Sequence, residues 1–328
     1  MRAANEPHPV LAEVIRSGYA ESWHRGSLVV VDERGVELLA AGTTTEPMFP
    51  RSSNKPMQAA AMLSSGLDLD DELLALAAAS HSGEDFHVEG VREILRDAGL
   101  AESDLQCPPD LPLDEAARTG FLRAGGEPDR IHMNCSGKHA AMLATCAANG
   151  WPTGTYRDPA HPLQQRIRQL IGRLANEPVA AIGVDGCGAP LMSISLIGLA
   201  RAFSTVVRAA AGTAMRQVAD AMRAYPVWMS GTTRYEAALM AAVPGLLMKP
   251  GADGVCAFAL ADGRAGSVKI DDGGQRALPP VLAALLMDLM AAGGPRDANL
   301  DVLDRMARTP VTGGGLPVGE IRPVLPKL

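Results

Sequence analysis

Ser52 and Lys55 stand three residues apart in Pro50-Arg51-Ser52-Ser53-Asn54-Lys55-Pro56-Met57-Gln58, just before the apolar run Ala59-Ala60-Ala61-Met62-Leu63. A serine hydroxyl is a weak nucleophile until a neighbouring base takes its proton. A lysine serves as that base when burial or a second cation lowers its pKa. In the first turn of a helix, residues i and i+3 share a face, which brings Ser52 and Lys55 together. The exposed N–H groups of such a turn can also stabilise an oxyanion. The position breaks a local rule. A capping box puts Glu or Gln three residues after the capping serine, and Lys55 instead sets a cation against the helix dipole. Local rules are broken most often where function demands it. Two points weigh on the other side: Lys55 precedes Pro56, a place biased away from helical dihedrals, and a capping serine with a surface lysine satisfies the same short pattern.

Two further elements carry the same chemistry. Ala79-Ser80-His81-Ser82-Gly83-Glu84-Asp85 closes the apolar run Leu73-Leu74-Ala75-Leu76-Ala77-Ala78. It reads as a second serine site if Ser80 faces a cleft, and otherwise as a helix stopped by Gly83. In Ser267-Val268-Lys269-Ile270, the lysine alternates with two apolar neighbours, so it points to the opposite face of its strand. A solvent-facing strand lysine is the bland alternative.

The cysteines number five. Asn134-Cys135-Ser136-Gly137-Lys138-His139 opens a helix, and Asp185-Gly186-Cys187-Gly188 is a glycine-rich turn after a strand. Cys135 and Cys187 are two candidate thiolate ligands, which need a third. His139 is the usual choice. Lys138 is the unusual one, because its amine must be neutral to bind a metal. No Cys-x-x-Cys or His-x-x-x-His spacing supports a metal site. Cys146 and Cys256 fall on apolar faces and read as small core residues, and Cys107 before Pro108 reads as a loop residue.

The elements that must position these groups come from a chain of 328 residues, 47% hydrophobic and 20% charged, which excludes an intrinsically disordered protein. A net charge of −7 without a polybasic run argues against nucleic-acid and anionic-membrane partners. An odd, sparse set of cysteines argues for a reducing compartment. The start, Met1 to Pro9, shows no secretory pattern, and no apolar stretch reaches membrane-spanning length. The expectation is a soluble, cytoplasmic protein. Strands are expected within 10–21, at 27–31, 36–39, 179–184, 246–249, 255–260 and 266–270. Helices are expected at 55–65, 71–81, 87–98, 113–123, 138–149, 161–175, 194–208, 213–224 and 279–292. With strands at both ends and helices between, the economical fold is α/β: one sheet from the N- and C-terminal strands, about 10–45 and 245–328, and a helical lobe at about 54–224, in a single domain 1–328.

Taken in order, these elements resemble the asparaginase II family, the thermolabile or Rhizobium-type L-asparaginases. The resemblance runs through Glu21-Ser22-Trp23-His24-Arg25-Gly26, Arg51-Ser52-Ser53-Asn54-Lys55-Pro56-Met57-Gln58, Ala79-Ser80-His81-Ser82-Gly83-Glu84 and Asn134-Cys135-Ser136-Gly137-Lys138-His139. It continues in Asp185-Gly186-Cys187, Lys269-Ile270-Asp271-Asp272-Gly273 and Val318-Gly319-Glu320-Ile321-Arg322-Pro323. It implies hydrolysis of L-asparagine to L-aspartate and ammonia, in a sandwich like that of serine β-lactamases and glutaminases. It implies two Ser–Lys pairs, Ser52 with Lys55 and Ser80 with Lys269. It places a zinc position on Cys135, Lys138 and Cys187, supporting substrate binding more than chemistry, with Asp185 near the substrate's α-amino or carboxylate end. Arg51 either holds a substrate carboxylate or braces the helix start, and the family suggests a homodimer. The sequence departs from the family pattern at Ser53-Asn54, Arg234-Tyr235-Glu236 and Lys249-Pro250-Gly251-Ala252-Asp253-Gly254, which bears on substrate preference.

Three rival readings differ in outcome. A glutaminase or β-lactamase-like acyl-serine hydrolase would favour another amide, although no Ser-Asp-Asn or Lys-Thr-Gly element accompanies Ser52 and Lys55. A metal-gated amino-acid-binding protein would hold asparagine without releasing ammonia. A globular protein with buried serines and surface lysines would bind neither.

Overall fold

The computed structural model describes residues 7–327, so most of the N-terminal stretch read for a leader lies outside the described residues. The strands of the main sheet are β1 (Val10–Arg16), β2 (Tyr19–Val31), β3 (Glu37–Ala41), β4 (Leu247–Gly251), β5 (Val255–Ala259), β6 (Ala265–Ile270), β7 (Thr309–Gly313) and β8 (Leu316–Pro323). The helices are α1 (Lys55–Leu63), α2 (Asp71–Ala77), α3 (Asp85–Asp97), α4 (Glu115–Arg123), α5 (Ser136–Ala148), α6 (Pro162–Ala175), α7 (Leu196–Arg208), α8 (Ala214–Ala224), α9 (Pro226–Met229), α10 (Tyr235–Ala242), α11 (Leu278–Ala291) and α12 (Leu300–Ala307). The residues divide into two compact units: Met1–Ser53, Ile194–Arg208 and Ala238–Leu328 in the first, Asn54–Ser193 and Ala209–Ala237 in the second.

The first unit holds an antiparallel sheet of order β7-β8-β1-β2-β6-β5-β4, with β3 also paired to β2. N- and C-terminal strands therefore share one sheet, as the strand distribution requires. Ser17-Gly18, both at positive φ, turn β1 into β2, so the stretch 10–21 holds the end of one strand and the start of the next. Leu28 to Val31 are buried on both faces, which explains their unbroken apolar run. Helix α7 packs on β2, β5 and β6, and belongs to the sheet rather than to the helical block in which the sequence reading placed it. Its start is tied down by the Ser267 hydroxyl on β6, which donates to Leu196 O at 2.7 Å. Helix α11 packs on β1, β6 and β8.

The second unit is helical. Helix α1 packs against α5, α6 and α8, and α2 against α3, α5, α8 and α9. Every residue from Lys55 to Met62 is buried, so α1 is a core helix apolar all round except for its first residue and Gln58. A short hairpin, Ile182–Val184 with Pro190–Met192, presents the turn at 185–188. The strand read over 179–184 is only its second half. Among the described residues, no helix is long and apolar enough to cross a membrane.

Candidate active site

In the second unit the site begins where α2 stops. The helix expected to run to 81 ends at Ala77: the Ala78 and Ala79 amides close it on Ala75 O and Leu76 O, and beyond them Ser80 N–H donates to Met229 O at 3.3 Å and His81 N–H to Asn134 O at 2.9 Å. His81 then pins the turn. Its Nδ1 accepts from Gly83 N–H at 3.2 Å, so its hydrogen lies on Nε2 and is donated to Ser136 Oγ at 2.8 Å. Ser136 in turn donates to Ile131 O at 2.6 Å. His81 is thus consumed in holding Ser80 beside the start of α5.

Lys55 is 1% exposed, and the surface-lysine reading fails. Its Nζ lies 2.9 Å from Ser80 Oγ, 3.1 Å from Cys135 Sγ, and in hydrogen-bond contact with Ala79 O. The carbonyl can only accept, and a thiolate or thiol sulfur accepts a second N–H. The third contact is with Ser80 Oγ, to which Nζ donates. Helix α1 opens at Lys55 itself, with Pro56 in the tolerated first turn, and Asn54 makes no side-chain cap.

Behind Lys55 lies a buried thiol–amine cluster. Lys138 Nζ is 2.9 Å from Cys187 Sγ, and Asp185 Oδ2 is 3.9 Å from the same sulfur. The Cys135 thiol donates to Asn134 Oδ1 at 3.0 Å, and its hydrogen-bonding to Cys187 together with burial lifts its pKa well above the thiol range. The Cys187 thiol falls far below its ordinary value, chiefly through that hydrogen bond and against its burial, helped by the Lys138 cation and by His139. Burial works against the charge on Lys138, but Cys187, Cys135 and Asp185 outweigh it and raise its pKa. Cys135, Lys138 and Cys187 are all buried, and two thiolates with a neutral amine would be a soft donor set that suits zinc. Among the described residues no three His, Cys, Asp or Glu side chains are placed to hold a metal ion. Cys135 joins both halves of this arrangement, touching Lys55 on one side and Cys187 on the other.

Arg51 to Asn54, of which the first three residues belong to the first unit, form a 3-10 turn, so Ser52 does not sit in a helical first turn as its spacing suggests. Arg51 has φ 50°, a left-handed conformation costly for a side chain of this size. The turn is held by Ser53, whose N–H and hydroxyl both donate to Pro50 O, at 3.1 and 2.6 Å. Strand β4 ends against it. A Cβ on Gly251 would stand 2.7 Å from Pro50 O and 3.1 Å from Ser52 N, so only glycine admits this approach. Arg51 forms an ion pair with the Asp253 carboxylate. Lys269, half-buried on β6, donates to Asp253 O at 2.8 Å and to Ile270 O. Its pKa is lowered by burial, against the pull of Asp271 and Asp272. Ser52, Arg51 and Lys269 are therefore gathered around the Gly251–Asp253 turn, while Lys55, Ser80, Cys135, Lys138, Asp185 and Cys187 are gathered in the helical unit. Sequence reasoning marked the 249–254 turn only as a departure from the family pattern, and missed the Arg51–Asp253 pair, the Cys135–Lys55 contact and Tyr156 beside His139.

The sequence pattern of the family described as L-asparaginase II matches residues 12–323. Among curated proteins there is no significant match. Similar solved structures include a β-lactamase from Mycobacterium bovis, 16% identical, with 80% of this chain and 94% of that chain covered and a TM-score of 0.45. Mglu is 14% identical, with 90% and 74% covered and a TM-score of 0.46. EstCE1, a hydrolase with promiscuous acyltransferase activity, is 13% identical, with 76% and 89% covered and a TM-score of 0.40. The chain belongs to the L-asparaginase II family, and with it to the amidohydrolases.

Proposed function

We propose that this amidohydrolase converts L-asparagine to L-aspartate and ammonia through an acyl-enzyme. The observation that carries the reading is the buried Lys55 amine 2.9 Å from the Ser80 hydroxyl, with its other neighbours placed to take its N–H groups. Ser52 is the nucleophile in this reading, on the strength of Ser52-x-x-Lys55. Its Oγ attacks the side-chain amide carbon and its proton passes to Lys55. Ser80 hands its own proton to the leaving nitrogen, which departs as ammonia, and regains one from Lys55. Water then attacks the ester, and the proton path runs in reverse to free L-aspartate. Lys269, which the sequence reading pairs with Ser80, instead holds the Gly251–Asp253 turn through Asp253 O and Ile270 O, and Ser80 takes Lys55 as its partner. The ion pair with Asp253 favours the bracing role for Arg51 over a grip on substrate.

Cys135, Lys138 and Cys187 would hold zinc, whose charge would fix the polar end of the substrate together with Asp185. The working form in this reading is a cytoplasmic homodimer, which sedimentation would test. Ammonia release from L-asparagine, L-glutamine and a chromogenic β-lactam tests the whole. The expected order has L-asparagine first. Binding of L-asparagine without ammonia would support the metal-gated binding protein instead.

A further inference from the structure

Glu84 closes the turn Ala79-Ser80-His81-Ser82-Gly83-Glu84, and the reading above leaves it without a role. It is the N-cap residue of α3, yet its side chain caps none of that helix's amides. The carboxylate reaches 148 residues along the chain instead. Oε1 accepts from Thr232 N–H at 3.0 Å, and Oε2 from the Thr232 hydroxyl at 2.8 Å. Both bonds go to a charged acceptor, the stronger kind. A second carboxylate holds the next residue. Asp114 Oδ2 accepts from the Thr233 hydroxyl at 3.0 Å, and Asp114 N–H donates back to Ser82 O at 2.9 Å. Gly231 brings the backbone down onto the same turn: a Cβ there would stand 2.6 Å from Ser82 Cβ and 3.0 Å from Glu84 Oε1. Just upstream, α9 ends at Met229, whose carbonyl accepts the Ser80 N–H, and His87 Nε2 donates to Val227 O at 2.9 Å. Residues 227–233 therefore form a strap tied at several points to the segment that carries Ser80.

We propose that Glu84 is a positioning residue for Ser80: by fixing Thr232 it keeps Met229 O on the Ser80 N–H and so aims the Ser80 hydroxyl. The inference rests on the proton-carrier role given to Ser80 in the previous section. As the C–N bond breaks, the Ser80 O–H must point at the leaving nitrogen while its oxygen stays within reach of Lys55, 2.9 Å away. Lys55 Nζ donates to that oxygen, so the hydroxyl hydrogen is directed away from the lysine. Its aim then depends on the backbone that carries it. Two amides hold that backbone, one on each side. His81 N–H bonds to Asn134 O, next to α5, where His81 and Ser136 back it. Ser80 N–H bonds to Met229 O, which the strap backs through Thr232 and Glu84. Loosening the strap shifts the proton carrier and leaves Ser52 and Lys55 in place, because neither touches it.

The test gives the full chain two substrates with one acyl group, L-asparagine and the β-(para-nitrophenyl) ester of L-aspartate. The amide nitrogen must take a proton to leave. The nitrophenolate leaves with the C–O electron pair and takes none. Glu84→Ala and Thr232→Val are each expected to lower kcat for L-asparagine about 10- to 100-fold, with KM and the ester rate within about 3-fold of wild type. The double variant is expected to lose no more than either single one, since both act through one contact. Glu84→Gln, whose amide oxygen accepts the Thr232 N–H and whose NH2 donates to the hydroxyl, is expected to recover most of the rate, as is Thr232→Ser. Circular dichroism of each variant confirms that the helices persist, and Thr232→Val keeps the side chain's shape. Equal losses on amide and ester would make Glu84 a general brace and overturn the proposal. Unchanged L-asparagine rates in both variants would overturn it as well. Ser80→Ala tells this failure from that of the function, since it is expected to slow the amide and spare the ester. If it slows the amide while Glu84→Ala does not, only the positioning role falls. If it leaves L-asparagine turnover unchanged, the proton-carrier reading falls, and the proposal with it.

Discussion

The two units hold their candidate residues by different means. In the helical unit, Ser80, Lys55, Cys135, Cys187 and Lys138 are linked side chain to side chain, each buried or half-buried and each touching the next. In the sheet unit, Ser52 is held by its backbone: a left-handed Arg51, a turn closed on Pro50 O, and a glycine that lets β4 approach. The difference teaches where each can tolerate change. A side-chain network loses function when one member is removed. A backbone-held nucleophile loses function when the backbone is moved, even by a residue that carries no chemistry.

The largest effects separate the serines. Ser52→Ala is expected to lower kcat for L-asparagine by about 1,000-fold or more, and Ser80→Ala by about 100-fold, the range for losing a nucleophile and a proton carrier. Equal residual rates would blur the comparison, and the reverse order would move the nucleophile to the side-chain network. Gly251→Ala comes next. The added Cβ must displace the turn at 50–53, and a shift near 1 Å costs about 100-fold in kcat. Stopped-flow rates near wild type would show that the turn yields without moving Ser52. Arg51→Gln and Asp253→Asn form a smaller pair. If the ion pair braces the turn, both lower kcat to a similar degree, about 10-fold, with KM little changed. If Arg51 grips substrate, only its own variant raises KM.

The smallest effect concerns stability. His87 on α3 lies in the helical unit, stacked on His81 and with Nε2 2.9 Å from Val227 O. Burial lowers its pKa from 6.5 to about 4. The unfolded chain therefore binds the proton more tightly than the folded one. Stability from this group is complete above pH 6.5 and is lost as pH falls toward 4, by at most about 3 kcal/mol. Urea unfolding at stepped pH measures the slope. His87→Gln, which does not titrate, is expected to flatten it, and a slope unchanged in that variant would assign it to other groups.

Much of the fold is legible in the sequence because its signals are local. The apolar stretch at 27–31, the Asp262-Gly263 turn between β5 and β6, and the core helices are each written in a few consecutive residues. The omissions have physical reasons. Strands β7 and β8 are rich in Gly and Pro at one end of the sheet, and most of their residues are exposed or half-buried, which leaves no clear alternation. Helix α12 carried a readable start, since the Asn299 side chain accepts from Val302 N–H, but its eight residues are short. Helix α2 stops before Ser80, where the amides bond to Asn134 and Met229, far along the chain. The candidate site divides the same way. Ser52-x-x-Lys55 and the two cysteine turns announce themselves by type and spacing. The Lys55–Cys135 contact spans 80 residues and the His139–Tyr156 contact joins a helix to a loop, and no periodicity records either.

Lys55 is the residue on which the account turns, and one substitution puts it to the test. Lys55→Met keeps the buried aliphatic stem and removes the amine, a change the packed core of α1 accommodates. Ammonia release from L-asparagine, measured side by side on the wild-type chain and this variant with the same thermal midpoint, should fall by about 1,000-fold or more. A variant that still turns over L-asparagine within about 10-fold of wild type would contradict the serine–lysine mechanism.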